Sequence, residues 1–351
     1  MESILMRILG TTGDEQVKLS RATSTTKAFA PHHQRASSLF RWGSVAALNI
    51  GLLACAPSPD YDDGGDFPRI ITSSNGLRPT DLDAILPRFA ATDQVRTLET
   101  TNFKVHFSTN GPNAIPTNDA DATGEPDYAE FVLDTFEASL VAYSQLGFRS
   151  PLNDAFVSDG DGGDGKFDVY LIDFGGRGDG QYRLDACLAA SPNRCAGHML
   201  LENDFAGYGY PSIETAIRIV GSHELFHAVQ AGYAAGQDLI VSEATAVWAT
   251  ERFDPTLNDF EAFIRRFLER PERSIFVAPS GLVDGYPYSV SLFFRFLDER
   301  FGPEIVLELW QQLEQTPDVD DWVASVDGIL SANYGTGFTD EYEEFAVWNV
   351  Y

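Results

Sequence analysis

Basic side chains are scarce in this chain of 351 residues, which has 24 lysines and arginines against 52 aspartates and glutamates. The formal net charge is -28, only four of the basic residues are lysines, and no long basic run occurs. A chain this acidic is repelled by phosphate backbones and by anionic lipid headgroups. The composition therefore argues against nucleic acid and anionic membrane surfaces as partners.

A permanent transmembrane segment is missing near the N-terminus. The apolar run there, residues 42–54, is shorter than the roughly 20 residues that a spanning helix needs, but it suits the core of a signal peptide. It follows Arg41 and ends at Cys55 in the sequence Leu-Leu-Ala-Cys, which resembles a bacterial lipoprotein cleavage box. The resemblance implies that residues 1–54 are a leader and signal peptide and that Cys55 is the lipidated first residue of the mature chain. The alternative is a buried amphipathic segment with an incidental cysteine.

These features predict an extracytoplasmic protein. We expect a lipoprotein of the cell envelope, at the outer membrane or the cell surface, or a secreted protein. Contact with the membrane is expected through the lipid anchor alone, because no transmembrane helix is predicted in the mature chain.

Cysteines are few, and only Cys187 and Cys195 remain after Cys55. They lie in a polar stretch that contains Ser191-Pro192-Asn193 and is predicted to be a loop. In an oxidising compartment the two thiols could close a small disulfide loop. Two free thiols are the alternative.

Proline, glycine and aspartate are frequent after Cys55, which predicts a disordered tether over residues 55–95. The remaining residues, 96–351, are enough to bury a sizeable core. Strand patterns are concentrated in residues 96–212 and helical patterns in residues 213–351. These two parts form either two lobes of one large domain or two domains.

The chain's most informative motif is H-E-x-x-H at residues 223–227, inside an apolar helical segment predicted over residues 213–233 that contains no proline. Residues four apart lie about 40° apart around a helix, so His223 and His227 present their imidazoles on one face. This geometry suits two ligands to one metal ion. Glu224 is about 100° round from His223, which favours contact with water on the metal over ligation. Incidental histidines in a core helix are the alternative.

A third ligand is expected from a second helix, predicted over residues 240–253. If this helix returns alongside the first, it can bring Glu243 against the histidines. Two histidines and one carboxylate leave the fourth tetrahedral position open, as a catalytic zinc site requires. Glu251, two turns further on, is the competing ligand or a hydrogen-bond partner for an imidazole N–H.

The H-E-x-x-H-A-x-Q helix and the following S-E-A-T-A-x-W segment, residues 242–248, resemble the gluzincin branch of zinc metalloproteases. The likeness is to a group of secreted bacterial proteases and extends more weakly over residues 102–348. Metzincins differ, because their third histidine should stand at position 233, which is Tyr233 here. The resemblance implies an α+β, zincin-like fold with a β-rich N-terminal lobe, a helical C-terminal lobe and the active-site helix between them.

By resemblance, the function is hydrolysis of polypeptide substrates with zinc bound by His223, His227 and Glu243. Glu224 is the expected general base, and a tyrosine beyond the ligand helices is expected to stabilise the oxyanion. Tyr288 is the first candidate and Tyr286 the second, although either could instead be packed beneath a helix. The strand candidate at 196–204 is expected to be an edge strand that binds the substrate backbone. A surface adhesion or binding protein that binds zinc and calcium without turnover is the alternative function.

Two acidic loops are candidate calcium sites. The first has the spacing of a twelve-residue calcium loop, and an acidic turn that caps a helix over 127–147 is the alternative. The second precedes a buried strand predicted over 167–174, and an ordinary turn is its alternative. The candidate ligands are Asp119, Asp121, Thr123, Glu125, Asp127 and Glu130 in the first loop, and Asp159, Asp161 and Asp164 in the second.

The cleavage-box resemblance generates a direct prediction about anchoring. Cys55→Ala should release the protein from membrane fractions, because the thiol that would carry the lipid is gone. Mass spectrometry of the mature N-terminus tests the same point. An unmodified Met1, or a Cys55 internal to the mature chain, would contradict the prediction.

Overall fold

The computed structural model describes residues 72–73, 76–157, 164–276, 285–316 and 321–349. All of them belong to one compact unit, Ile50–Tyr351. The leader, Cys55, Asp159 and Asp161 lie outside the described residues. The predictions made for them are therefore not tested by the structure.

A mixed sheet is the framework of the first half of the chain. Six strands in the described residues are arranged in the order β1-β5-β6-β4-β3-β2. Strands β3, β4 and β6 run parallel to one another, whereas β2 and β5 are antiparallel to their neighbours β3 and β6. The strands are β1 (Thr72–Ser73), β2 (Val95–Glu99), β3 (Phe103–Ser108), β4 (Phe167–Ile172), β5 (Gly180–Leu188) and β6 (Ser191–Glu202).

Helices dominate the second half. Of the helices in the described residues, α1 (Asp127–Gln145) lies between β3 and β4, and the others follow β6. This arrangement is mixed α/β and is consistent with the expected α+β class. None of these helices is both long and apolar enough to span a bilayer. The later helices are α2 (Ile213–Ala234), α3 (Leu239–Phe253), α4 (Asp259–Leu268), α5 (Tyr286–Ser289), α6 (Ser291–Phe301), α7 (Glu304–Gln315), α8 (Trp322–Ile329), a π-helical turn (Leu330–Tyr334) and α9 (Phe338–Trp348).

Helix α2 is the central helix of the fold. It begins after Ser212, whose hydroxyl accepts a hydrogen bond from the backbone N–H of Thr215 and so caps the first turn. It packs against α1, α3 and α7 and against strands β5 and β6. Its residues from 219 to 234 are all buried, so polar side chains on this helix must find partners inside the protein.

The two faces of the sheet differ in chemistry, because side chains alternate along each strand. On β3, Val105 and Phe107 join the main hydrophobic core shared with the helices, whereas His106 between them lies on the opposite face. On β4, Val169 and Leu171 join the same core. The opposite face carries charged groups.

The segment after β1 covers this second face. Arg78, 4% exposed, contacts three carboxylates: Asp154, Asp168 with Nη1 and Oδ2 3.3 Å apart, and Asp185 with Nη2 and Oδ2 2.9 Å apart. His106 Nε2 lies 2.7 Å from Oδ1 of Asp168. The Arg78 guanidinium thus offsets part of the charge of three acidic groups that are inaccessible to water.

The structure here differs from the tether expected over residues 55–95. Besides Arg78, Phe89 is 3% exposed and packs edge-on against Tyr170 of β4, with ring centroids 6.5 Å apart. Residues 76–95 therefore belong to the folded domain. Their polar composition is misleading because part of the surface that they cover is itself charged.

Two expectations about β6 change with the sheet order. The strand expected at an edge, residues 196–204, corresponds to the C-terminal part of β6, which ends at Glu202, lies between β5 and β4 and so has neighbours on both sides. The stretch expected to be a polar loop is a hairpin of β5 and β6. In this hairpin Cys187 and Cys195 are directly paired across the strands and form a disulfide with an S–S distance of 1.99 Å.

The buried network around Arg78 predicts a large stability effect. Arg78→Ala should lower the free energy of unfolding by about 3–5 kcal/mol, because it leaves buried carboxylates without their cation. Arg265→Ala on α4 is the control, because it breaks an exposed ion pair with Glu269 and should cost no more than about 0.5 kcal/mol. Denaturant unfolding measures both variants, and equal costs would contradict this account of the network.

Candidate metal centre

Helices α2 and α3 bring three ligand atoms together in the core. His223 Nε2 lies 2.9 Å from Oε2 of Glu243 and 3.1 Å from Nε2 of His227, and the His227 nitrogen lies 3.5 Å from the same carboxylate oxygen. All three side chains are buried. The histidines come from successive turns of α2, and Glu243 comes from the second turn of α3.

The spacing of these atoms fits one small cation. Zinc binds imidazole nitrogen and carboxylate oxygen at about 2.0–2.2 Å, so tetrahedral ligands lie about 3.3 Å from each other. The observed separations of 2.9, 3.1 and 3.5 Å are close to this value. Three acceptor lone pairs this close repel one another unless a cation or a proton lies between them. The donor set could therefore hold a metal ion.

The charges of the group favour a cation. Burial opposes protonation of His227, but the carboxylates of Glu243 and Glu224 outweigh burial and raise the pKa of His227 to about 9. Burial likewise opposes ionisation of Glu243, but His227 and His223 lower the pKa of its carboxyl to about 2. The two acidic groups thus create a negative potential at His227 that stabilises positive charge.

Gln230 orients the second histidine. Its Nε2 donates to the carbonyl of Ser242, 2.8 Å away, and to the hydroxyl of Thr245, 3.0 Å away. A carbonyl can only accept, so the amide nitrogen must face α3 and Oε1 must face His227. That oxygen lies 2.8 Å from Nδ1 of His227 and accepts a hydrogen bond from the N–H at this position. In the neutral ring, Nε2 then keeps its lone pair for a metal.

Thr245 in turn fixes Gln230. Its hydroxyl donates to the carbonyl of Val241, 2.7 Å away, and accepts from Nε1 of Trp310 on α7 at 3.2 Å. Because its single hydrogen is committed to Val241, the hydroxyl can only accept from Gln230. The roles of Gln230, Thr245 and Trp310 were not predicted, although Gln230 lies three residues beyond His227 and therefore on the same face of α2.

Glu224 lies beside the group on the side of the sheet. It is 1% exposed and follows His223 directly in the middle of α2. Its carboxylate is one of the groups that raise the pKa of His227. Gly180 of β5 approaches it closely, since an added Cβ there would lie 3.1 Å from Oε1 of Glu224.

The two tyrosine candidates are placed differently. Tyr288 stacks on the imidazole of His223, with ring centroids 5.8 Å apart and an interplanar angle of 24°, and on Phe263 of α4 at 5.0 Å. The hydroxyl of Tyr286 donates to the carbonyl of Arg273, 2.8 Å away, and its ring stacks on Phe267. Tyr288 is therefore the candidate that the fold brings to the histidines.

Glu251, the competing ligand, is not part of the group that the structure assembles from its described residues. It is partly exposed near the end of α3. Burial and the nearby carboxylate of Glu261 raise the pKa of Glu251 to about 7. Glu243 is the acidic residue that docking of α3 brings to the histidines.

The first acidic loop is partly assembled. Ligand oxygens of Asp119, Asp121 and Asp127 lie within 4.8 Å of one another, but none of these residues is buried. The carboxylate of Glu125 instead pairs with Arg96, 2.6 Å away. Glu130 does not belong to the assembled group, and the hydroxyl of Thr123 accepts a hydrogen bond from the backbone N–H of Glu125, 3.3 Å away. The three aspartates also accept hydrogen bonds from backbone N–H groups of the loop itself, whereas the N-terminus of α1 has no side-chain cap.

Only one candidate ligand of the second acidic loop is described. Asp164 forms an ion pair with Lys104, 2.8 Å away, and accepts a hydrogen bond from the backbone N–H of Lys166. These contacts lower the pKa of Asp164, although burial acts in the opposite direction. The carboxylate is therefore already engaged by a side-chain cation.

Comparison with protein-family models and with curated proteins found no match to this chain.

The role of Gln230 predicts a loss of metal affinity. Gln230→Ala should weaken zinc binding about 10–100-fold, because His227 loses the acceptor that fixes its orientation. Gln311→Ala, at an exposed position on α7, is the control and should bind zinc as the unmodified protein does. Competition with a chelator of known affinity measures both. Equal zinc affinities of the two variants would show that Gln230 does not contribute to metal binding.

Proposed function

We propose that this protein is a zinc-dependent peptidase of the gluzincin type. The observation that carries the proposal is the convergence of His223 Nε2, His227 Nε2 and Glu243 Oε2 within 3.5 Å of one another. Glu224, a buried carboxylate outside this ligand set, directly follows His223 in the chain. A metal site that includes an adjacent base is suited to hydrolysis, whereas structural zinc sites have four protein ligands.

Zinc is the ion that this donor set favours. Two imidazoles and one carboxylate are the three protein ligands of several catalytic zinc sites, and they leave one position for water or substrate. When bound, zinc supplies Lewis acidity, which lowers the pKa of a water ligand to about 7 and polarises a carbonyl group.

The chain's own residues supply proton transfer and orientation. In the proposed mechanism, Glu224 takes a proton from the attacking water and then delivers it to the departing amine nitrogen. Tyr288, stacked on His223, donates a hydrogen bond to the oxygen on which negative charge develops. Gln230 holds His227 in the tautomer that ligation requires. The substrate class is polypeptide.

We further propose that the enzyme acts outside the cytoplasm as a lipoprotein anchored through Cys55. The disulfide between Cys187 and Cys195 supports this location, because such bonds persist in oxidising compartments. Asp119, Asp121 and Asp127 are the calcium ligands that we propose for the first acidic loop.

A second function, zinc binding without turnover in a surface adhesion or binding protein, is favoured by the burial of the group. His223 is 4% exposed and Glu243 2%. A polypeptide substrate must gain access to these residues, whereas a metal that only stabilises the fold need not be accessible.

Substitutions at the site separate the two functions, with an unstructured polypeptide as substrate. Glu224→Gln should retain zinc and lower the hydrolysis rate by about 10²–10⁴, because an amide cannot accept the proton of water.

Glu243→Gln should weaken zinc binding, because a neutral amide oxygen is a poorer ligand than a carboxylate. Tyr288→Phe should lower the rate by about 10²–10³ with zinc retained, as loss of an oxyanion donor does.

Glu343→Gln, at an exposed position on α9, is the matched control and should change neither zinc content nor rate. Unmodified protein that binds zinc but hydrolyses no polypeptide would favour the binding function. Wild-type activity in zinc-loaded Glu224→Gln would exclude Glu224 as the base.

A further inference from the structure

We propose that Gly180 positions the carboxylate of Glu224. Gly180 is the first residue of β5, and because it has no side chain it leaves the space that the Glu224 side chain occupies. This inference depends on the proposed hydrolysis. Gly180 would act through Glu224 and would contact neither metal nor substrate.

The space between β5 and α2 is too small for a methyl group. Gly180 is buried and pairs with Leu201 of β6, and its side-chain position faces α2. A Cβ built there would lie 2.5 Å from Cγ1 of Val220, 2.7 Å from Cγ of Glu224 and 3.1 Å from Oε1 of Glu224. The first two separations are well inside the 3.5–4.0 Å at which carbon atoms attract each other. One of the two elements, or the Glu224 side chain, would have to move.

Backbone conformation does not explain why position 180 requires glycine. Gly180 is not among the described residues with positive φ, so alanine could adopt its backbone angles without strain. The requirement at this position is therefore one of space.

The helix has little freedom to move away. Helix α2 also packs against α1, where the hydroxyl of Tyr143 donates to the carbonyl of Ser222, 2.8 Å away. The ring of Phe136 on α1 approaches Gly221 so closely that a Cβ there would lie 3.0 Å from it. These contacts oppose a shift of the helix, so a methyl group on Gly180 would press first on the side chains of Val220 and Glu224.

Gly180→Ala should lower kcat on the order of 10²-fold, because misplacing a catalytic group by about 1 Å has an effect of this size. KM and zinc affinity should be unchanged, because Glu224 is not a ligand. Gly232→Ala on α2 is the control and should retain kcat, since the nearest atom to its added Cβ is 3.7 Å away. Unchanged kcat in Gly180→Ala, or a loss of zinc parallel to the loss of rate, would overturn the proposal.

A double variant separates positioning from general packing. Val220→Ala in the Gly180→Ala protein removes the 2.5 Å contact but leaves both contacts with Glu224. The low kcat should therefore persist. Recovery of the unmodified kcat would assign the effect to the packing of β5 on α2 and would overturn the proposal.

Thermal unfolding tests the contact without an activity assay. Gly180→Ala should lower Tm less in a Glu224→Ala background than in the unmodified protein, because the atoms that it displaces are absent. Equal losses of Tm in both backgrounds would overturn the proposal. If Gly180→Ala does not fold by itself, recovery of folding in the Glu224→Ala background supports the proposal, and failure to recover overturns it. If the unmodified protein lacks peptidase activity, the proposed function fails, and this cycle still tests the contact.

Discussion

The contact of two imidazoles and a carboxylate inside an apolar core is the interaction on which the structure of the site depends. Three acceptors within 3.5 Å of one another are unfavourable unless positive charge lies between them. The surrounding groups preserve this arrangement. Gln230 and Thr245 direct the His227 ring, and Trp310 of α7 extends the hydrogen bonds to a third helix. Packing of α2 against α3 and α7 therefore also determines where the ligand atoms lie.

Part of the site was predictable because its geometry is local. The four-residue spacing of His223 and His227 is enough to place them on one face of a helix. Local geometry could not decide whether Glu243 or Glu251 is the third ligand. The two positions differ by about 12 Å along α3 and about 80° around it, so only the docking of α3 decides between them. Gly180 illustrates the remaining difficulty, since its contact with Glu224 joins a strand and a helix more than 40 residues apart.

The helices were predicted more successfully than the sheet for a related reason. The segment predicted at residues 213–233 corresponds to α2, which covers Ile213–Ala234, because apolar periodicity and capping are properties of the segment itself. Sheet order depends on pairings between distant segments, so β6 was expected at an edge although it lies between β4 and β5. The charged face of the sheet was also missed. Arg78 was assigned to a tether, because a buried arginine can be recognised only from the carboxylates around it.

The proposed metal centre consists of His223, His227 and Glu243 around one ion. Elemental analysis of protein purified without exposure to chelators is the decisive experiment. We expect about one zinc per chain at neutral pH, and loss of that zinc in His223→Ala and in His227→Ala. Absence of any transition metal from the unmodified protein, or full retention of zinc in both histidine variants, would contradict it.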